Sequence, residues 1–188
     1  LDGQAFLAAE DPQTWFLVRA LQGAARPAEP LAEAAGNSYG RFTRITMHTG
    51  GPGVVGWEWH LKQRGQSSEE IRLRFADLET LYAGGPPADR RAVLDRYRVG
   101  WAVVADVERE RYGLDEADPL RTVPGVLRFA EKDGAILYRV LPTSGGRQQV
   151  IEPVFEIPTE AEVVGALPRN DDDTASSMAL DEDGAIVV

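Results

Sequence analysis

The segment Val99-Gly-Trp-Ala-Val-Val-Ala105 constrains the fold of this chain more than any other. It is a nearly unbroken apolar run, rich in valine, with no polar residue at alternate positions. A strand with one wet face would alternate; a continuous run of this length is the pattern of a central strand covered on both faces. Helices then supply the covers, and the expected class is α/β.

The surrounding sequence offers those helices. Asp11-Pro12 reads as a helix start, with the carboxylate capping free N–H groups and proline at the first helical position. Trp15, Val18 and Leu21 follow at helical spacing until Gly23 and Pro27. Ser67 and Glu70 form a capping-box pattern, after which Ile71, Phe75, Leu78 and Tyr82 recur on one face up to Gly84-Gly85-Pro86-Pro87. A further helix is expected from about Asp89 to Tyr97, and another over Pro124 to Lys132. Pro30 to Ala35 reads as a short buried strand, and Ala135 to Leu141 as another after the turn Asp133-Gly134. Over Arg41 to Thr49 strand and helix compete. Helices and strands alternating at this spacing predict a mainly parallel sheet with flanking helices, a Rossmann-like three-layer arrangement.

Beyond Pro142 the character changes. Gln148 to Ile157 can add one or two strands, which Pro153 and Pro158 favour at an edge. The expected organisation is an α/β domain over residues 1–158 and an acidic linker over 159–177. The last segment, 178–188, reads as strand, Asp-Gly turn, strand. It resembles the opening of an NHL-type β-propeller repeat, with an ordinary frayed hairpin as the alternative.

Composition limits what this body can do. A chain of 188 residues, 43% hydrophobic, suits one domain with or without a tail, burying roughly two-thirds of its unfolded surface. A net charge of −10 without any Lys/Arg run disfavours nucleic acid. Lys62 and Lys132 are its lysines, so positive charge is carried as discrete guanidinium groups suited to local pairing or anion binding. The absence of cysteine removes disulfides, thiol nucleophiles and Cys-based zinc sites. With His48 and His60 as the imidazoles, a multi-His metal centre is not expected. No apolar stretch approaches the roughly 18 residues needed to span a bilayer. The chain begins at Leu1, which leaves room for a membrane anchor upstream.

Four constellations carry candidate chemistry. In Glu33-Ala-Ala-Gly-Asn37-Ser38-Tyr39-Gly40-Arg41, the polar side chains can bond sugar hydroxyls and Arg41 can hold an anion; equally, Asn and Gly simply build a turn. Thr49-Gly-Gly-Pro-Gly53 lacks the Lys-Ser/Thr ending of a phosphate-binding loop. Gly56-Trp57-Glu58-Trp59-His60, followed by Gln63-Arg64-Gly65, gathers aromatic faces able to stack on sugar rings or lie against lipid headgroups, with an imidazole suited to general-base work. The alternative is a tryptophan anchor filling the core beside a hydrogen-bonded histidine. Last, Asp106, Glu108, Arg109, Glu110, Arg111 and Tyr112 follow the buried strand at the edge where α/β sheets bind ligands, though such charges also pair on a solvated helix.

These residues also carry a family likeness. Glu33-Ala34, Ser38-Tyr39, Arg44-Ile45, Thr49-Gly50, Gly56-Trp57, His60, Gln63 and Arg64-Gly65 occur in order. They are followed by Arg74, Asp77, Leu81-Tyr82, Tyr97-Arg98-Val99, Glu108-Arg109, Tyr112 and Tyr138-Arg139-Val140. The pattern resembles the C-terminal region of the YYY-domain family of polytopic membrane proteins, over about Leu1 to Leu141. Leu61 departs from it, standing where glutamate is expected after the histidine, and the tryptophan expected before Arg64 is missing.

The YYY proteins are similar to C-superfamily glycosyltransferases, which use polyprenyl-phosphate-linked sugars at the outer membrane face. The resemblance implies an extracytoplasmic domain at the cell membrane, whose partner is the transmembrane part of the same polypeptide and whose ligand is lipid-linked sugar. It implies no catalytic residue, metal or cofactor in this chain, because the catalytic carboxylate of that superfamily lies in a loop of the membrane part. Trp57, His60, Gln63, Arg64, Ser38, Tyr39 and Arg41 become the candidate substrate-binding residues. Two alternatives stay open: a non-catalytic binding or scaffold domain of a membrane protein, and a freestanding soluble α/β enzyme using the strand-edge cluster.

Overall fold

In the computed structural model, residues 3–24, 29–114, 118–143, 179–180 and 186–187 are described. The chain divides into two compact units, Leu1–Pro153 and Val154–Val188. The first is mixed α/β: a four-stranded sheet with helices against both faces.

Helices α1 (Gly3–Glu10) and α2 (Pro12–Ala24) open the chain. The Asp11 carboxylate caps α2 as its position suggests, accepting from the backbone N–H of Thr14 at 3.0 Å and its hydroxyl at 2.7 Å. Strand β1 (Leu31–Ala32) follows, then the short helices α3 (Arg44–Thr49) and α4 (Glu58–Gln63). Next come α5 (Ser68–Tyr82) and α6 (Pro87–Arg96). At the start of α5, Ser67 Oγ accepts from the N–H of Glu70, but Glu70 turns its own carboxylate to Arg74. Only half of the expected capping box forms.

The apolar run becomes β2 (Trp101–Val104), buried at every position. Its alternate residues feed two cores. Trp101 and Val103 pack with Leu17, Val18 and Leu21 of α2, while Ala102 and Val104 pack with Leu78, Leu81 and Tyr82 of α5 and Leu94 of α6. Burying a leucine or valine side chain is worth roughly 1.5–3 kcal/mol, so β2 is the centre around which both helical layers are fixed. Helix α7 (Asp106–Tyr112) leaves its C-terminal end, and β3 (Val126–Lys132) and β4 (Ala135–Val140) complete the sheet in the order β1-β2-β4-β3.

Only β1 and β2 pair in parallel; β2–β4 and β3–β4 are antiparallel. The sheet is therefore mixed, and the mainly parallel, Rossmann-like arrangement expected above is not what the described strands form. The cause lies in Pro124 to Lys132, read as a helix and found as β3. Asp133 (φ 49°) and Gly134 (φ 80°) both adopt the left-handed conformation of a tight hairpin turn, which folds β3 back onto β4. The pairing register shifts between Arg128 and Ala130, so an extra residue enters the strand. This bulge turns Val126 and Ala130 to opposite faces of the sheet, into different cores. The apolar spacing that mimics a helix is thus the trace of a bulged strand.

In the second unit, β5 (Ala179–Leu180) pairs antiparallel with β6 (Ile186–Val187), matching the two strands read in 178–188. The Asp-Gly turn between them, the edge strands expected in Gln148 to Ile157 and the linker over 159–177 lie outside the described residues.

Candidate functional site

The parallel strands β1 and β2 end side by side, and the chain leaves them as the loop 33–43 and as α7. Three charged side chains are buried where these exits meet. Arg44 donates from both terminal nitrogens to Glu108, at 2.9 and 3.0 Å, and from Nε to Thr14 Oγ1. Glu108, fully buried, also accepts from the backbone N–H groups of Ala34 and Ala105. Glu33 accepts from the N–H groups of Ile45 and Thr46 at 2.8 and 2.9 Å and from the Thr46 hydroxyl. It thereby caps α3, which Thr43 at the cap position does not: its hydroxyl turns to the Phe42 carbonyl.

Burial pushes the Glu33 carboxyl above the usual carboxylate range, against the pull of the Thr46 hydrogen bonds and the Arg44 charge. Burial likewise disfavours the Arg44 cation, but the Glu108 carboxylate, joined by the charges of Glu33 and Asp11, outweighs it and holds the guanidinium protonated more firmly than usual. A bidentate guanidinium–carboxylate pair with its remaining lone pairs satisfied is the arrangement that survives burial. These charges clamp three elements together.

From that clamp the loop climbs to the surface. An added Cβ at Gly36 would lie 2.2 Å from the Phe42 ring, so glycine is what allows Phe42 to fold back toward the core. Tyr39 (φ 64°) and Thr43 (φ 58°) both adopt the left-handed conformation. For non-glycine residues this costs about 1–2 kcal/mol each, and such strain concentrates at sites of function.

Helix α4 meets the loop from the other side. Leu61 packs on the core, while Trp57, preceding the helix, donates from its indole Nε1 to the Phe42 carbonyl at 3.0 Å. Tyr39, Trp57 and His60 then form one compact aromatic group, with ring centroids 5.1–5.2 Å apart in every pairing. Tyr39 Oη and His60 Nε2 share a hydrogen bond of 3.0 Å. Tyr39 is 76% exposed; Trp57 and His60 are half-buried. Neither is the interior anchor that remained an alternative reading of this segment.

The other candidates lie around this group rather than in it. Ser38 is half-buried beside Tyr39, and Gln63 and Arg64 are exposed at the end of α4. Arg64 lies one helical turn beyond His60 and makes no ion pair or side-chain hydrogen bond among the described residues. Trp59 is exposed and stands outside the ring cluster. Arg41 is turned elsewhere: it reaches Glu110 at 3.4 Å, with both side chains largely exposed, and lines a cleft of about 700 Å³. That cleft also presents Asp11, Gln13, Arg44, Asp106 and Asp133.

The strand-edge cluster on α7 is mostly committed to structure. Glu108 belongs to the buried clamp, Arg111 donates to the Ala35 carbonyl and pairs with Glu79, and the Tyr112 ring stacks on Tyr82 at 4.8 Å. Glu33, Arg44 and Glu108 appear in the family pattern, and Glu33 and Glu108 in two of the constellations, but none of the three is among the candidate substrate-binding residues. Glu33 carries the one available signal, a carboxylate inside the apolar run Leu31 to Ala35.

Among the described residues, no group of His, Asp and Glu is arranged to hold a metal ion, and no helix is long and apolar enough to cross a membrane. No protein-family model matches the chain, and no curated protein matches it.

Proposed function

We propose that this chain is an extracytoplasmic accessory domain of a YYY-type membrane glycosyltransferase that uses polyprenyl-phosphate-linked sugar. It is not catalytic by itself. The transmembrane part of the same polypeptide is its partner, and the Tyr39–Trp57–His60 surface faces the cavity of that part, where it positions the lipid-linked donor or the acceptor.

One observation carries this reading. The Ser-Tyr step and the Gly-Trp-x-x-His step of the family-like pattern are separate in sequence, yet Tyr39, Trp57 and His60 converge in a single exposed aromatic cluster. An exposed aromatic group held by strained backbone makes little sense as core and good sense as a contact surface. The freestanding-enzyme alternative is weaker, because the α7 charges it would use are engaged in structural pairs.

The test is turnover of polyprenyl-linked sugar by the whole polypeptide, wild type against Trp57→Ala and Tyr39→Ala. Turnover should fall in both variants. Unchanged turnover in both removes this surface from the mechanism.

A further inference from the structure

We infer that Tyr39, Trp57 and His60 form a platform for a neutral sugar ring, so that this surface recognises the carbohydrate and not the phosphate of a lipid-linked ligand. The inference rests on the proposed function for its setting, but its physical basis is local.

The three rings touch one another, with interplanar angles of 47°, 52° and 88°. Contacts this close leave no cage between the rings for a cationic headgroup. What remains is their outward surface, to which Tyr39 contributes most. A pyranose offers a face of C–H groups that suits the negative face of an aromatic ring, and hydroxyls around its rim. The rim of the platform offers matching polar atoms. The Tyr39 hydroxyl can share a second hydrogen bond, and His60 keeps Nδ1 without a hydrogen-bond partner among the described residues.

Charge argues for a neutral ligand. On the chain segments that carry the platform, Lys62 is paired with Glu58, and Arg41 is turned away to Glu110. Among the described residues of those segments, that leaves Arg64 exposed without an ion pair or side-chain hydrogen bond. One solvated guanidinium is a poor receptor for a phosphate group, which is normally held by several converging donors.

The backbone gives a second, independent reason. Tyr39 holds a left-handed conformation that asparagine or glycine would adopt more easily, and it buries little of its ring. Folding does not need a tyrosine there; ligand contact does.

Saturation-transfer NMR on the 188-residue chain tests this. The probes are methyl glycosides of glucose, galactose, mannose and N-acetylglucosamine, beside inorganic phosphate and water-soluble geranyl phosphate followed by phosphorus NMR. At least one glycoside should receive saturation, mainly on one ring face. Binding should weaken about fivefold or more in Tyr39→Ala and stay unchanged in Arg64→Ala, with both variants as thermally stable as wild type. The absence of transfer to every glycoside overturns the inference. So does transfer that persists in Tyr39→Ala, or phosphate binding that Arg64→Ala removes.

The two proposals fail separately. Glycoside binding with turnover insensitive to Trp57→Ala sinks the accessory role and leaves the platform standing. Trp57-dependent turnover by a chain that binds no glycoside does the reverse.

Discussion

Two clusters, one buried where the loop 33–43 meets α7 and one at the surface where the same loop meets α4, obey opposite physics. Glu33, Arg44 and Glu108 are charged and buried, with the carboxylate oxygens of both acids and all three nitrogens of the guanidinium engaged. Tyr39, Trp57 and His60 are aromatic and lie at the surface, Tyr39 exposed and the other two half-buried. A folding rule based on polarity alone would place each where the other lies. The buried set spends ionic groups to fix where the loop begins and where α3 starts. The exposed set uses that fixed frame to hold rings at the surface. The difference separates residues that build the site from residues that touch a ligand.

The largest expected effect breaks the buried half. In Glu108→Ala the Arg44 cation is left inside without a counter-charge, and the N–H groups of Ala34 and Ala105 lose their acceptor. Removing one partner of such a pair costs about 3–5 kcal/mol, to be read as a shift of the urea unfolding midpoint at constant slope. The double replacement Arg44→Met with Glu108→Leu should recover the part of that loss due to the unpaired cation, since a buried pair exchanged whole for apolar groups is often neutral, while the two N–H groups stay without their acceptor. A single variant costing less than about 1 kcal/mol would show that these charges behave as if solvated.

A smaller effect is expected where the two clusters join. Gly36→Ala drives a methyl group into the Phe42 ring, and overpacking of this kind costs about 1–3 kcal/mol. Because Trp57 donates to the Phe42 carbonyl, the displacement should also alter tryptophan fluorescence. A loss of stability with the emission unchanged would mean that the two clusters are not mechanically linked.

Tyr39→Gly sharpens the comparison from the exposed side. Relief of the left-handed conformation gains about 1–2 kcal/mol, and the extra freedom of glycine in the unfolded chain takes back roughly 0.4–1 kcal/mol. Stability should stay level or rise by up to about 1.6 kcal/mol, while glycoside binding is lost. A clear drop in the unfolding midpoint would make Tyr39 a structural residue after all.

How much of this is readable from residues alone differs between the clusters. The central strand and the helices before it follow from apolar periodicity, because burial of Val99 to Ala105 and of the Leu78 face is a local property of the chain. β3 does not follow. Its helix-like spacing is created by a bulge that exists only once β4 is beside it. The aromatic residues stand out in the sequence by their density, but their convergence depends on a loop closure with left-handed residues at Tyr39 and Thr43. The buried ion pair was least legible. Arg44 and Glu108 are partners far apart in sequence, and an isolated arginine or glutamate defaults to solvent. Only Glu33, inside an apolar run, betrays burial.

The smallest expected effect calibrates the buried pair against a surface one of the same chemistry. Arg91 grips Asp95 through Nε and Nη2, as Arg44 grips Glu108 through both terminal nitrogens, but the Asp95 side chain is 41% exposed. The hydrogen bond from Arg91, helped by the Thr143 hydroxyl, holds the Asp95 carboxyl below its ordinary value, with partial burial opposing. A lowered folded-state pKa means that the unfolded chain binds the proton more readily. The pair's contribution is therefore present above the unfolded value of about 3.9 and disappears as pH falls through the lower folded value. With solvent screening, the contribution should stay under about 1 kcal/mol. Asp95→Asn should then match wild type in urea midpoint at the acid end and fall slightly below it near neutrality. If the gap near neutrality reached that of Glu108→Ala, burial would not be what sets the two pairs apart.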